Sequence, residues 1–158
     1  MKKTILLLFV LFSSALSFSQ PALLWQKNYG GSMRDEVGNF DNDYDGADHC
    51  IALTNDGYVF VGTSQSNDHD VIGAHGGKDI MVMRCDSSGA ILWSKLIGGT
   101  DTDEGSSIIA TSDGGVAVCG FSASVDGDFT GHIGSFNYDI VIIRMDSLGN
   151  ILWIKNYG

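Results

Sequence analysis

One stretch of sequence occurs three times in this chain, and the repetition limits the possible folds more than any other feature. Ala90–Gly99 reads AILWSKLIGG, and related strings stand at Ala22–Gly31 (ALLWQKNYGG) and Asn150–Gly158 (NILWIKNYG). Two further pairs of segments keep the same order: Thr54–Ser66 with Thr111–Ser124, and Asp79–Gly89 with Asp139–Gly149. Trp93 and Trp153 are 60 residues apart, and a period of this size indicates an architecture of repeated structural units.

Each repeat predicts four short antiparallel strands. The first three strands of the two repeats are Cys50–Thr54 and Ser107–Thr111, Tyr58–Thr63 and Val116–Ser122, and Ile80–Cys85 and Ile140–Met145. The tryptophan strings supply the fourth strands, and Asp-Gly and Asp-x-x-Gly segments supply turn residues that tolerate positive φ. We therefore predict an all-β chain of β-propeller-type four-stranded antiparallel blades, with one repeat at about 32–99 and another at about 100–158.

Two repeats are fewer than a closed propeller ring uses, since such rings have at least about four blades. The string after Trp153 also stops before counterparts of Gly99 and Asp103. We therefore expect the chain to be the N-terminal piece of a longer propeller. The alternative is a homo-oligomer in which several copies together close the ring.

The first residues predict export rather than structure. Residues 1–19 contain Lys2 and Lys3, an apolar run from Ile5 to Phe12, and small residues before Gln20. This is the layout of a secretory signal peptide, and the apolar run is too short for an ordinary membrane span. We expect a mature chain of residues 20–158, secreted or held at the cell surface, with no membrane span.

The charge of the chain excludes one large class of partner. There are 19 acidic residues, of which 17 are aspartate, against 9 basic residues, for a formal net charge of −10. A protein of this sign repels phosphate backbones, so nucleic-acid binding is not expected.

Three cysteines, an odd number, stand at 50, 85 and 119. The first interpretation of Cys85 and Cys119 is that they are small buried apolar residues, because both lie in strand-like runs. A disulfide that includes Cys50 is the alternative in an oxidising compartment.

The repeated motifs resemble a known group of proteins. W-x-K-x-x-GG-x-x-x-D, T-x-DGG and D-x-x-x-x-R-x-D-x-x-G-x-x-x-W are similar to the β-propeller repeats of secreted Bacteroidota proteins, over Trp25 to Gly158. The turns from Asp86 to Trp93 and from Asp146 to Trp153 are also similar to tryptophan-docking propellers of the quinoprotein type. The resemblance implies the fold and an extracellular location, and it implies little about activity because propellers host enzymes, binders and scaffolds alike.

A candidate metal site lies in an insertion that the second repeat lacks. Residues 41–48 read DNDYDGAD, with carboxylates at Asp41, Asp43, Asp45 and Asp48. Ca²⁺ binds six to eight oxygens, so these side chains with the Ala47 carbonyl predict a calcium loop. The segment resembles the loops of EF-hands and of integrin-type propellers, although Ala52 and His49 stand where those families place acidic ligands. The alternative is a solvated acidic loop whose aspartates form Asx-turns.

A second acidic pattern recurs in both repeats: Asp68, Asp70 and His75 in the first, and Asp126, Asp128 and His132 in the second. We interpret it as turn-forming, with a metal site as the alternative.

Motifs for a P-loop or a Ser-His-Asp triad do not occur. The sequence therefore predicts a binding, adhesion or scaffolding segment for an unidentified extracellular protein or glycan, without catalysis in this chain. The alternative is a part of a carbohydrate-active or quinoprotein-like enzyme whose active site lies in other residues.

Overall fold

The computed structural model of the chain describes residues 23–37, the backbone of 50–53, and residues 57–130 and 138–158. These residues form two antiparallel sheets that follow one another along the chain. Sheet 1 contains β1 (Asp35–Glu36), β2 (Cys50–Leu53), β3 (Gly57–Ser64), β4 (Asp79–Cys85) and β5 (Ile91–Ile97). Sheet 2 contains β6 (Asp103–Ala110), β7 (Val116–Ser122), β8 (Asp139–Met145) and β9 (Ile151–Tyr157), paired in sequence order.

The first strand of sheet 1 is interrupted where that of sheet 2 is continuous. Both β1 and β2 pair with β3, through Glu36 opposite Thr63 and Cys50 opposite Phe60. In sheet 2 the single strand β6 covers the equivalent positions on β7 and changes register between Gly105 and Ser107. Thirteen residues separate Glu36 from Cys50, whereas three separate Glu104 from Ile108. The acidic insertion therefore enters the first strand at the position where sheet 2 has a β-bulge.

The core lies mainly between the two sheets. Alternate residues of a strand point to opposite faces, and one face of sheet 1 contacts one face of sheet 2. The contacting residues are Val59, Val61, Ile80, Val82 and Ile97 of sheet 1 with Val116, Val118, Val141, Ile143 and Met145 of sheet 2. All ten are at most 2% exposed, and fully burying a side chain of this kind contributes roughly 1.5–3 kcal/mol.

The opposite face of sheet 1, called here the front face of sheet 1, has a smaller core of its own. It contains Met81, Met83, Cys85 and Leu96, with Val71 from the loop before β4. The N-terminal segment, residues 23–31, covers part of this face through Tyr29, which packs against the same cluster.

The strands predicted for the two repeats are confirmed, and the architecture is all-β with antiparallel four-stranded units. The tryptophan string at residues 23–31 is the exception, since it forms no strand. Two strand starts are corrected, since β6 begins at Asp103 and β1 adds Asp35–Glu36 to the first strand of sheet 1. These residues were missed because the Asp-Glu pairs at 35–36 and 103–104 show no apolar alternation. The described part of the chain contains no helix long and apolar enough to cross a membrane.

Candidate functional site

The most distinctive contact in the molecule joins a tryptophan of one sheet to a turn of the next. Trp93 of β5 donates its indole N–H to the carbonyl of Ser147 in the turn between β8 and β9, at 3.2 Å. In the same way Trp25 of the N-terminal segment donates to the carbonyl of Ser87 in the turn between β4 and β5, at 2.7 Å. The third tryptophan, Trp153 of β9, is 43% exposed. Trp25 and Trp93 therefore pack between successive units, whereas Trp153 has no such contact among the described residues.

The docking turn is built by an aspartate and a glycine. Asp146 Oδ1 accepts hydrogen bonds from the backbone N–H groups of Leu148 at 2.9 Å and Asn150 at 2.8 Å. Gly149 has φ of +82°, and a Cβ there would lie 2.8 Å from Trp93 Cδ2. A side chain at this position would therefore strain the turn and also displace the tryptophan ring. Gly89, with φ of +76°, stands in the same relation to Trp25.

A buried carboxylate closes the loop between the sheets. Asp103 Oδ2 accepts from the backbone N–H of Gly99 at 2.8 Å and from the hydroxyl of Ser124 at 2.9 Å, while Oδ1 accepts from Ser122 at 2.5 Å. The Asp103 residue has no exposed surface. Sheet 1 has the same cluster, in which Asp35 accepts from Gly31, Ser64 and Ser66.

The aspartates of the second acidic pattern bind the same Gly-Gly segments. Asp128 Oδ2 accepts from the N–H of Gly98 at 3.1 Å, and Asp126 Oδ1 accepts from the N–H of Thr100 at 2.8 Å. In sheet 1, Asp70 and Asp68 accept from Gly30 and Ser32 in the same way. The interpretation of these acids as structural is supported. The expected mechanism is corrected, because they join two loops that are distant in sequence instead of capping their own turn.

Charged groups also connect the two sheets. Lys78 Nζ lies 3.1 Å from Glu104 Oε1 in sheet 2 and 3.9 Å from Glu36 Oε1 in sheet 1. His75 Nε2 lies 3.7 Å from Asp128 Oδ2, and its Nδ1 lies 3.5 Å from Asp79 Oδ1. Among the residues that the structure describes, no three His, Cys, Asp or Glu side chains are placed together so as to hold a metal ion.

The pKa values of the aspartates shift in two opposite directions. Burial raises the pKa of Asp103 above the usual carboxyl range, although the hydroxyl of Ser122 and the N–H of Gly99 act against this. Burial likewise raises the pKa of Asp79. In contrast, the hydroxyl of Thr111, the N–H of Gly115 and the neighbouring Arg144 lower the pKa of Asp113 to about 2.

A cleft of about 340 Å³ opens on the front face of sheet 1. Its lining is mostly aromatic and sulfur-containing. The residues are Trp25, Tyr29, Phe60, Met81 and Met83, with Val37 and the charged Lys27, Asp35 and Glu36. Tyr29 donates its hydroxyl to the carbonyl of Gly89 at 2.7 Å, and burial raises its pKa to about 12. The cleft was not predicted, because it forms between segments that are far apart in sequence.

Several predicted residues lie outside the described part of the chain. These are the signal peptide at 1–19, the calcium ligands Asp41, Asp43, Asp45, Ala47 and Asp48, and His132. Cys85 and Cys119 are free cysteines. Cys85 is fully buried, as expected, whereas Cys119 is only half-buried because it stands on the face of sheet 2 that is turned away from sheet 1.

No protein-family model and no curated protein matches this chain. The contacts described above are therefore the basis on which its function is inferred.

We predict that Trp93→Ala lowers the free energy of unfolding by about 3 kcal/mol, because the variant loses a packed ring and leaves a cavity beside Gly149. Trp153→Ala is the matched control, since the same residue type occupies the equivalent strand position but is largely exposed. Its expected change is within about 0.5 kcal/mol. Urea unfolding at low protein concentration measures both variants, and equal losses would contradict the docking role of Trp93.

We predict that Asp103→Asn destabilises the protein by about 1–3 kcal/mol at neutral pH, because the amide nitrogen cannot accept the hydrogen bonds of this cluster. The pKa of Asp103 is raised on folding, so its stabilising contribution is complete below the usual carboxyl pKa of about 3.9 and declines as pH rises through the folded value. The difference in unfolding free energy between wild type and Asp103→Asn should therefore widen on acidification.

Asp113→Asn is the control, and the pH dependence of its effect on stability should have the opposite sign. The pKa of Asp113 is lowered, so its contribution is present above the usual carboxyl value and is lost as pH falls toward 2. The difference between wild type and this variant should be small, since the group is exposed, and should narrow on acidification. Denaturant unfolding at a series of pH values distinguishes the two behaviours, and parallel curves for Asp103→Asn and wild type would contradict the assignment.

Proposed function

We propose that sheets 1 and 2 are successive blades of a β-propeller, in an exported protein with a binding, adhesion or scaffolding role. The observation that carries the proposal is the repetition of one docking contact. Trp25 docks on the Asp86–Gly89 turn as Trp93 docks on the Asp146–Gly149 turn. A contact that joins each unit to the next in the same way generates a regular array of blades.

The polar residues of the repeats support a non-catalytic role. The paired aspartates Asp35 and Asp103, Asp70 and Asp128, and Asp68 and Asp126 all accept backbone N–H groups in the loops between units. A catalytic carboxylate must instead reach substrate with a suitable pKa. The abundant acids are therefore better explained by loop connection than by chemistry on a ligand.

A glycan array distinguishes the binding function from the enzyme alternative. The purified protein is incubated with the array, and the bound glycans are released and weighed by mass spectrometry. Recovery of intact glycans supports a binding role. Recovery of shortened or oxidised glycans would favour a carbohydrate-active or quinoprotein-like enzyme and would contradict the proposal that this chain lacks catalysis.

Export is tested by cell fractionation of the chain with a C-terminal epitope tag. We predict that the full chain reaches the medium or the cell surface, and that its N-terminus is Gln20 because small residues precede that position. A matched deletion variant that lacks residues 2–19 should stay in the cytoplasm. Retention of the full chain in the cytoplasm, at its uncleaved mass, would contradict the export proposal.

We further propose that Asp41–Asp48 forms a Ca²⁺ loop, with Asp41, Asp43, Asp45, Ala47 and Asp48 as the ligands. Two observations support it. The flanking residues Glu36 and Cys50 are held three positions apart on β3, so the two ends of the acidic insertion are fixed close together. Four carboxylates within eight residues also repel one another unless a cation compensates their charge.

We predict that a calcium chelator lowers the melting temperature of the protein and that added Ca²⁺ restores it, because a bound ion stabilises the folded state by mass action. Asp43→Ala should remove most of the response. Asp101→Ala is the matched control, since it deletes an exposed aspartate of a different loop. A melting temperature that does not change with chelator, in wild type and both variants, would exclude the calcium loop.

A further inference from the structure

We propose that two faces of this protein are complementary, and that copies associate head to tail with β9 of one copy taking the place of residues 24–30 on sheet 1 of another. The first face is the back face of sheet 2, which is turned away from sheet 1. The second is the front face of sheet 1. This association depends on the stacking of sheets and is independent of what the protein binds.

The back face of sheet 2 is an exposed apolar surface, whereas the equivalent face of sheet 1 is buried. Its exposed members are Ile109, Phe121, Ile140, Trp153 and Tyr157. By strand register, Phe121 and Ile140 correspond to Thr63 and Ile80 of sheet 1. Phe121 is 42% and Ile140 is 47% exposed, whereas Thr63 and Ile80 are 4% and 0% exposed because sheet 2 covers them. No described residue of the chain covers this face, and an exposed apolar face is typical of an interaction surface.

The sequence of β9 indicates which surface fits it. Residues 152–158 read LWIKNYG and residues 24–30 read LWQKNYG, so the two strings differ at one position, Ile154 against Gln26. The equivalent string of β5, LWSKLIG, has Leu96 and Ile97 where the other two have Asn and Tyr. The side chains of β9 therefore match those of residues 24–30, which dock on sheet 1, more closely than those of β5, which dock on sheet 2.

The aromatic residues explain this difference. Trp25 and Tyr29 contact Tyr58 and Phe60 of sheet 1, with ring centroids 5.9 and 5.8 Å apart. The corresponding positions on sheet 2 are the smaller Val116 and Val118, which receive the aliphatic Ile97 of β5 in the shared core. Tyr157 occupies the position of Tyr29, so an aromatic front face like that of sheet 1 is its matching surface.

The front face of sheet 1 has room for this partner. One face of sheet 2 is covered by the whole of sheet 1. Among the described residues, the front face of sheet 1 is covered only by residues 23–31. The cleft of about 340 Å³ beside that segment is lined by Phe60, Met81 and Met83. If sheet 2 of a second copy packed on this face, its Phe121 and Ile140 would point into the apolar cleft. Thr63 and Ile80 of sheet 1 point toward sheet 2 in the equivalent way.

The hydrogen bonds of Arg144 differ from those of its equivalent in sheet 1. Its equivalent in sheet 1, Arg84, donates across the interface to the carbonyl of Ser147 at 2.6 Å. Arg144 instead donates to Asp113 of its own sheet, at 2.6 Å to both carboxylate oxygens. This ion pair is exposed on the Asp113 side and so contributes little. Arg144 also donates to the backbone carbonyls of Val116 and Met145. Turning its guanidinium to the carbonyl of Ser87 in a second copy would therefore exchange contacts within its own sheet for the contact that Arg84 makes between sheets.

The resulting contact is heterologous, and such contacts close into rings when the rotation permits. Residues 24–30 compete from within the same chain, at an effective concentration on the order of millimolar. Association should therefore depend on protein concentration and on how strongly the N-terminal segment holds its place.

The test is sedimentation equilibrium of the purified protein over a wide concentration range. We predict reversible association of wild type, at integer multiples of its monomer mass. Trp25→Ala should tighten association at least about tenfold, because it removes the anchor of the competing segment. Trp153→Ala and Phe121→Asp should weaken association by at least a similar factor, because they remove an anchor or place a charge on the back face of sheet 2.

Leu148→Asp is the control, since Leu148 is exposed on the turn before β9 and stands outside the back face. Its association should equal that of wild type. Circular dichroism and urea unfolding establish that each variant is folded at the concentrations used. Monomers at every concentration for both wild type and Trp25→Ala would overturn the proposal. Weaker association of Trp25→Ala, or an unchanged constant for both Trp153→Ala and Phe121→Asp, would overturn it as well.

Discussion

The contact between a tryptophan ring and the Asp-x-x-Gly turn of the next sheet is the interaction on which the rest of this structure depends. It needs a glycine, because the ring of Trp93 lies where a Cβ of residue 149 would be. It also needs the aspartate, because Asp146 holds the turn by accepting two backbone N–H groups. Sheet 1 thus supplies a ring to sheet 2, and each sheet supplies a turn to the tryptophan that precedes it in the chain. The structural unit is therefore defined by its junctions as much as by its strands.

The aspartates and glycines that dominate the composition belong to these junctions. Asp103 and Asp128 accept N–H groups of the Gly98–Gly99 segment, and the short side chain of aspartate suits the close approach of the two loops. The cost of burial is visible in the raised pKa of Asp103. Hydrogen bonds from Ser122 and Ser124 compensate that cost in part, as buried carboxylates generally require. An acidic sequence can thus form a dense fold without a matching number of basic residues.

The strands and their order could be predicted because the repeat shows the same apolar runs and turn residues twice. β1 and the start of β6 could not, because Asp35–Glu36 and Asp103–Gly105 have no alternating apolar pattern to reveal a strand. The partners of Asp68 and Asp126 were also missed, since these acids bind backbone groups 36 and 26 residues away. Local turn chemistry explains which residue types occur in a loop, but it does not identify a distant segment that the loop contacts. The cleft beside Trp25 was missed for the same reason, because it forms between segments that are far apart in sequence.

The acidic insertion shows how such a repeat acquires a feature that its neighbour lacks. In sheet 2 the first strand shifts register between Gly105 and Ser107, so the ladder is already broken there. In sheet 1 the additional residues enter at this break, and the pairs of Glu36 with Thr63 and of Cys50 with Phe60 are kept on either side. Lengthening a loop whose ends are fixed costs little, because closure entropy grows only slowly with length. A bulge is therefore the position at which a sheet can accept additional residues and still keep the face that docks on the next sheet.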